Sequence, residues 1–326
     1  MQNFNYVRAT SVDSAVASAA MPDTVFLAGG TTLLDLMKLN VMRPAAIVDI
    51  HKLNLNQVER LPDGRVRIGA MVSNTELALN DHIRSHYPVL SEALKSGAST
   101  QLRNKATTAG NIMQRVRCGY FRDGISACNK RDPNSGCAAI GGLNRNVHAV
   151  LGGTEHCIAA HPSDMCVAMA AIGATIHVQG RAGGRDIDFG AFHLLPGDTP
   201  WKEHALQSGE MITHVTLDAP MQGSRSGYLK LRDRASYQFA LASCAAIIVL
   251  DGGLVRDARI ALGGVATKPW RAREAEDALR GQPANTSSFE RVAALALKSA
   301  RSYGQNGFKI GLGQQAVVRN LTSLVA

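Results

Sequence analysis

Phe26-Leu27-Ala28-Gly29-Gly30-Thr31-Thr32-Leu33-Leu34-Asp35-Leu36-Met37-Lys38 changes character twice within a short span. Thr24 to Leu27 reads as a strand, and Leu33 to Asn40 carries apolar residues at 33, 34, 36, 37 and 39, the spacing of a helix with a broad buried side. Between them, Gly29 and Gly30 allow the backbone to approach a ligand closely and leave unpaired N–H groups at the helix start. Those groups and the helix dipole attract phosphate oxygens, the dipole by ~0.3–1 kcal/mol. No Lys follows as in a Walker A loop, and the spacing is not G-x-G-x-x-G, so an ordinary strand–helix turn remains an alternative. Upstream, Phe4–Arg8 is a strand and Ser11 with Asp13 opens an Ala-rich helix; downstream, Ala46–Asp49 is a third strand. The order predicts a small α/β unit.

Beyond it the pattern changes. Leu61-Pro62-Asp63-Gly64-Arg65 is a hairpin turn between strands Val58–Leu61 and Val66–Ala70. Ser73 and Glu76 form a helix-start signature, and a further helix covers Pro88–Ser96. Thr107-Thr108-Ala109-Gly110-Asn111-Ile112 is a second small-residue turn with hydroxyl and amide donors. Residues 116–153 show no periodicity, and a structureless stretch of that length calls for another organiser. Pro162-Ser163-Asp164 starts a helix and strand Ala174–Gln179 follows. From about Gly227 the chain reads as a separate unit: an antiparallel hairpin, Ser243–Leu250 and Leu254–Leu262, then two or three helices. The fold class is α+β, in three units.

Composition narrows the function classes. The 326 residues are 45% hydrophobic and 19% charged with no biased tract, which excludes disordered, collagenous and coiled-coil chains. The net charge is +9, but the basic residues are scattered and aromatics are only 5%, arguing against nucleic acid as a partner. Met1-Gln2-Asn3-Phe4-Asn5-Tyr6 does not begin a leader peptide, and the longest apolar run, Phe239–Leu250, is too short to span a membrane, so a soluble protein is expected. No Ser/His/Asp or paired-carboxylate signature marks an acid–base site.

Five of the six cysteines, Cys118, Cys128, Cys137, Cys157 and Cys166, are clustered, and Cys244 lies alone in an apolar run. The first four contain no C-x-x-C pair, which disfavours zinc, and lack close ferredoxin spacing. Four soft ligands in an irregular segment permit a 4Fe–4S cluster without specifying it. His148, His156 and His161 leave a mixed ligand set open beside the plainer reading of isolated histidines.

The stretches FLAGGTTLLDLMK, TTAGNIMQ, HPSDM and GYLKLRDRASYQFALAS, in this order, resemble the FAD-binding medium subunit of the xanthine dehydrogenase family of molybdenum hydroxylases. Within it the chain is most similar to the flavin and iron–sulfur subunit of bacterial aldehyde oxidoreductases. The resemblance implies a FAD-binding domain of the vanillyl-alcohol-oxidase type in two subdomains, residues 1–55 and 56–222, and a C-terminal domain like that of CO dehydrogenase flavoproteins, residues 223–326. It places the pyrophosphate loop on Phe26, Leu27, Ala28, Gly29, Gly30, Thr31, Thr32, Leu33 and Leu34, and a second flavin segment on Thr107, Thr108, Gly110 and Asn111. Ser163 and Asp164 fall on the adenosine half, Ile212 beside the flavin, and Lys230 near its ring. RCGYFRDG, SACNKRDPNSGC and EHCIAAHPSDM are similar to an insertion, here about 116–160, that holds a 4Fe–4S cluster on Cys118, Cys128, Cys137 and Cys157.

The implied activity is electron transfer. A molybdenum-cofactor large subunit oxidises the aldehyde, a 2Fe–2S small subunit carries electrons to the FAD, and an external acceptor reoxidises it. The implied compartment is the cytoplasm, or the periplasm if a signal-bearing small subunit co-exports the complex. Two other readings stand beside it: a self-contained flavin oxidase of the same fold, and a flavin-free, metal-organised basic binding module.

Overall fold

Ala46-Ile47-Val48-Asp49 is buried at every position because it is the central strand of a parallel sheet. The computed structural model describes residues 1–326. Strands β1 (Asn5–Arg8), β2 (Thr24–Leu27) and β3 (Ala46–Asp49) pair in the order β1-β3-β2. Helices Val12–Ser18 and Leu33–Lys38 are the crossovers. Ser11 starts the first of these through a reciprocal capping box with Ser14.

The middle unit is built on β4 (Val58–Arg60), β5 (Val66–Gly69), β6 (Ala174–Gly180), β7 (Gly183–Asp188) and β8 (Met211–Leu217). They form an antiparallel sheet ordered β4-β5-β8-β6-β7. Every second residue of β6 from Ala174 to Gly180 is buried, so one face of this sheet meets the core. That core also takes in helices Pro88–Ser96 and Asp164–Ile172. The expected turn at residues 107–112 is a short helix, Thr108–Ile112, because the Thr107 hydroxyl caps it by accepting from the Gly110 N–H.

The C-terminal unit comprises β9 (Ser224–Leu231), β10 (Ala242–Asp251), β11 (Leu254–Gly263) and β12 (Trp270–Arg271), ordered β12-β11-β10-β9. Three helices follow, Arg273–Leu279, Thr286–Ala296 and Phe308–Val325. The strand β10 is buried over eight consecutive positions because it serves two cores. Ala245 and Ile247 point into the middle unit, whereas Cys244, Ala246 and Ile248 point into the C-terminal one. That alternation makes the sheet a wall between the units.

Residues 116–153 contain a single four-residue helix, Gly119–Arg122, and otherwise only turns and bridges. They form a third small core with Cys118, Cys128, Phe121 and Cys157. No helix is long and apolar enough to cross a membrane.

Candidate functional site

A cavity of about 630 Å³ runs between the first two units, a volume within the usual range for small-molecule sites. The loop between β2 and helix Leu33–Lys38 lines one end, through Ala28, Gly29, Gly30, Thr31 and Thr32. Gly30 has φ +74°, a region that disfavours any side chain. Gly29 is required for a different reason. A Cβ there would stand 1.8 Å from the Lys105 carbonyl oxygen, so this glycine lets residues 105–106 pack behind the loop. Thr32, at the helix start, makes no side-chain capping bond, so the first-turn N–H groups are not consumed by it.

The residues expected at a flavin separate into two groups. Phe26, Leu33, Thr107, Gly110 and Ile212 line the cavity with the glycine loop. Leu27, Leu34, Thr108, Asn111, Ser163, Asp164 and Lys230 do not. Thr108 is wholly buried and donates to the Val72 carbonyl at 3.1 Å, which makes it a support for the second segment. The Asn111 side-chain oxygen Oδ1 accepts from the Ser163 hydroxyl at 2.7 Å, and that hydroxyl also caps helix Asp164–Ile172. The resemblance puts Asp164 and Lys230 at opposite halves of the cofactor. The structure instead brings them together: the Lys230 ammonium donates to Asp164 at 2.8 Å and to the Ser96 carbonyl at 3.0 Å, and the Tyr228 hydroxyl donates to Asp164 at 2.6 Å. They therefore share one location, outside the residues that line the cavity.

Three histidines were not anticipated here. His161, His193 and His204 all line the cavity, and His161 Nε2, His193 Nδ1 and His204 Nδ1 are buried without a protein partner. Leaving such groups unpaired costs about 1–3 kcal/mol each, so this lining suits a polar ligand. His193 Nε2 lies 3.1 Å from the Ile112 carbonyl, so that nitrogen carries the proton and Nδ1 presents a lone pair. Burial pushes His193 down to about 4 and His161 well below the usual range, so both rings stay neutral. His161 Nδ1 accepts from the Ser163 N–H at 3.4 Å, which puts its proton on Nε2 as a donor. His161, His193 and Cys166 offer atoms within 4.8 Å of one another, but a metal would need that Nε2 bare. His161 and His193 instead offer hydrogen-bonding groups to the cavity. Histidines carry no spacing signal for a cavity assembled from three separate segments, which is why sequence reasoning left His161 among isolated residues and did not reach His193 or His204.

Cys118, Cys128, Cys137 and Cys157 line one separate small void. Cys128 and Cys137 face each other across a short antiparallel bridge, reinforced where Asn129 accepts from the Gly136 N–H at 2.8 Å. The Asn129 amide donates to the His156 carbonyl at 3.1 Å, tying Cys157 to the same place. His148 Nε2 lies 3.3 Å from Cys118 Sγ, and His156 also borders the void. No three of these sulfurs fall within 4.8 Å of one another. A single zinc would need them roughly 3.8 Å apart at Zn–S ≈ 2.3 Å, so they are not arranged as a zinc site. The void between them is about 10 Å³. Cys166 and Cys244 take no part; each is buried in a hydrophobic core.

Residues 2–220 match the family model of the FAD binding domain in molybdopterin dehydrogenase, and residues 227–321 match the CO dehydrogenase flavoprotein C-terminal domain. The chain is a FAD-binding subunit of the molybdenum hydroxylase family. This flavin subunit is 48% identical to the aldehyde oxidoreductase FAD-binding subunit PaoB of Escherichia coli, over 100% of the chain and 98% of that protein. It is 30% identical to the glyceraldehyde dehydrogenase medium chain of Sulfolobus acidocaldarius, over 89% of the chain and 86% of that protein. Its fold matches a solved carbon monoxide dehydrogenase from Hydrogenophaga pseudoflava with a TM-score of 0.78 at 25% identity, covering 99% of this chain and 98% of that one. Membership makes the subunit an oxidoreductase component that binds FAD, and it sets aside the flavin-free reading.

Proposed function

We propose that this chain is the electron-transfer subunit of a heterotrimeric, molybdenum-dependent aldehyde oxidoreductase, holding FAD and an additional 4Fe–4S cluster. The observation that carries the flavin part is the cavity, with the glycine loop at one end and three buried, unpartnered histidine nitrogens in its wall. The aldehyde substrate rests on full-length similarity to the Escherichia coli subunit. Bound FAD supplies reversible hydride and single-electron chemistry between a donor subunit and an external acceptor. The chain's own residues bind and orient. Gly30, Thr31, Thr32 and Leu33 line the cavity end that suits a pyrophosphate, Ile212 offers an apolar surface, and neutral His161 and His193 offer one donor and one acceptor. Cys118, Cys128, Cys137 and Cys157 would hold the cluster, which supplies a one-electron centre.

The three sheets support a division at 1–55, 56–222 and 223–326. The partners in this reading are a molybdenum-cofactor large subunit and a 2Fe–2S small subunit. The test is coexpression with both subunits, followed by sizing, metal analysis and a visible spectrum. A three-subunit complex with FAD, molybdenum and four irons beyond those of the 2Fe–2S small subunit supports the proposal. A lone chain that oxidises aldehydes as fast as the mixture would make it a self-contained oxidase.

A further inference from the structure

The flavin cavity and the cysteine void share a wall. Val116, Lys130, Cys157 and Ala159 line both spaces. Lys130 is the charged member, with its side chain only 8% exposed. Its ammonium donates to the Pro200 carbonyl at 2.8 Å and lies 3.0 Å from Glu203. Glu203 also pairs with Arg115, whose guanidinium lies over the Phe121 ring at 4.7 Å from its centroid. Burial alone would raise the Glu203 carboxyl, but Lys130 and Arg115 outweigh it and hold Glu203 below its ordinary range, so it is ionised. Arg115 and Glu203 border the flavin cavity and Phe121 borders the void. The wall thus carries two cations and one anion, a net positive charge, of which Lys130 is the member most withdrawn from solvent.

We infer that Lys130 is a positioning residue whose fixed charge, set against Glu203, tunes the reduction potential of the centre held by the four cysteines. This rests on the cluster reading above. Reduction adds one electron to the centre, and a neighbouring cation stabilises the added charge, so it raises the potential. Removing Lys130 should lower the potential; removing the Glu203 charge, which leaves Lys130 and Arg115 uncompensated, should raise it. A structural role alone would not give opposite signs.

The experiment is an EPR-monitored redox titration of the purified complex as wild type, Lys130→Met, Lys130→Arg and Glu203→Gln, with iron and flavin measured on each. At the wild-type midpoint, Lys130→Met should show about a tenfold lower ratio of reduced to oxidised cluster, equivalent to ~59 mV for one electron. Lys130→Arg should restore the wild-type value, and Glu203→Gln should move it the other way. Wild type without cysteine-held iron overturns the cluster reading and this inference with it. Wild type with four such irons but an unshifted Lys130→Met overturns the inference alone. If Lys130→Met loses its iron, Glu203→Gln decides, and an unchanged or lowered potential there overturns the inference.

Discussion

Lys230 and Asp164 form an ion pair at 2.8 Å with side chains only 3% and 7% exposed, joining strand β9 to the first turn of helix Asp164–Ile172. Such a pair is sensitive to the loss of one member, because the survivor is left charged and buried. Asp164→Asn should destabilise the chain by about 3–5 kcal/mol, read from urea denaturation. Asp164→Asn with Lys230→Met should recover much of that loss, since no lone charge remains. Single and double variants of equal stability would show that the pair does not hold β9 to the helix.

The two loop glycines should fail differently. Gly29→Ala drives a methyl into the Lys105 carbonyl oxygen, 1.8 Å away, so the loop must move. Gly30→Ala meets side chains alone, Leu34 at 2.9 Å and Leu27 at 3.4 Å, and strains a φ of +74° by roughly 1–2 kcal/mol. The expected order of flavin loss, measured as the flavin-to-protein ratio after purification, is Gly29→Ala, then Gly30→Val, then Gly30→Ala. Iron should be retained in both Gly30 variants. Full flavin in Gly29→Ala would remove residues 105–106 from the support of the loop.

Local signals made most of the fold legible. The β-α-β order, the capping box at Ser73 and Glu76, and the hairpin Val58–Gly69 all appear where residue patterns place them. Strand β7 was not read because five of its six residues are exposed and two are glycines, so it lacks an apolar alternation. The cavity was half legible for a related reason. Its glycine loop is contiguous, whereas Arg115, His161, His193 and Glu203 meet only through tertiary packing. The ion pair of Asp164 with Lys230 likewise spans distant segments, and no spacing rule brings it together.

Stability should depend on pH through His193. Its folded form, pushed down to about 4 by burial, refuses a proton that the unfolded chain takes up near the ordinary 6.5. Between those values the unfolded state binds more protons, so this contribution is intact above pH 6.5 and falls as pH drops toward 4. The maximum loss is about 3 kcal/mol at 1.36 kcal/mol per pH unit. His193→Gln should flatten the decline in denaturation midpoint between pH 7 and pH 5 relative to wild type. Parallel profiles for the two proteins would show that His193 takes up its proton in the folded state as readily as in the unfolded one.

The last prediction separates the two cysteines nearest the end of the irregular segment. Cys157 borders the void with Cys118, Cys128 and Cys137, whereas Cys166 is fully buried inside helix Asp164–Ile172. The Cys166 N–H donates to the Ser163 hydroxyl at 3.0 Å, fixing it in the first turn of that helix. Burial pushes the Cys166 thiol up to about 12, so it stays protonated and behaves as a small apolar side chain. Cys166→Ala should therefore keep the full iron content and cost only a modest packing loss. Cys157→Ala should lose the cluster or bind it poorly, because one iron is left without its thiolate while flavin is retained. Iron and sulfide analysis of both variants, purified anaerobically, reads the difference directly. Iron lost from Cys166→Ala and kept in Cys157→Ala would mean that the helix start unwinds to deliver Cys166 as the fourth ligand.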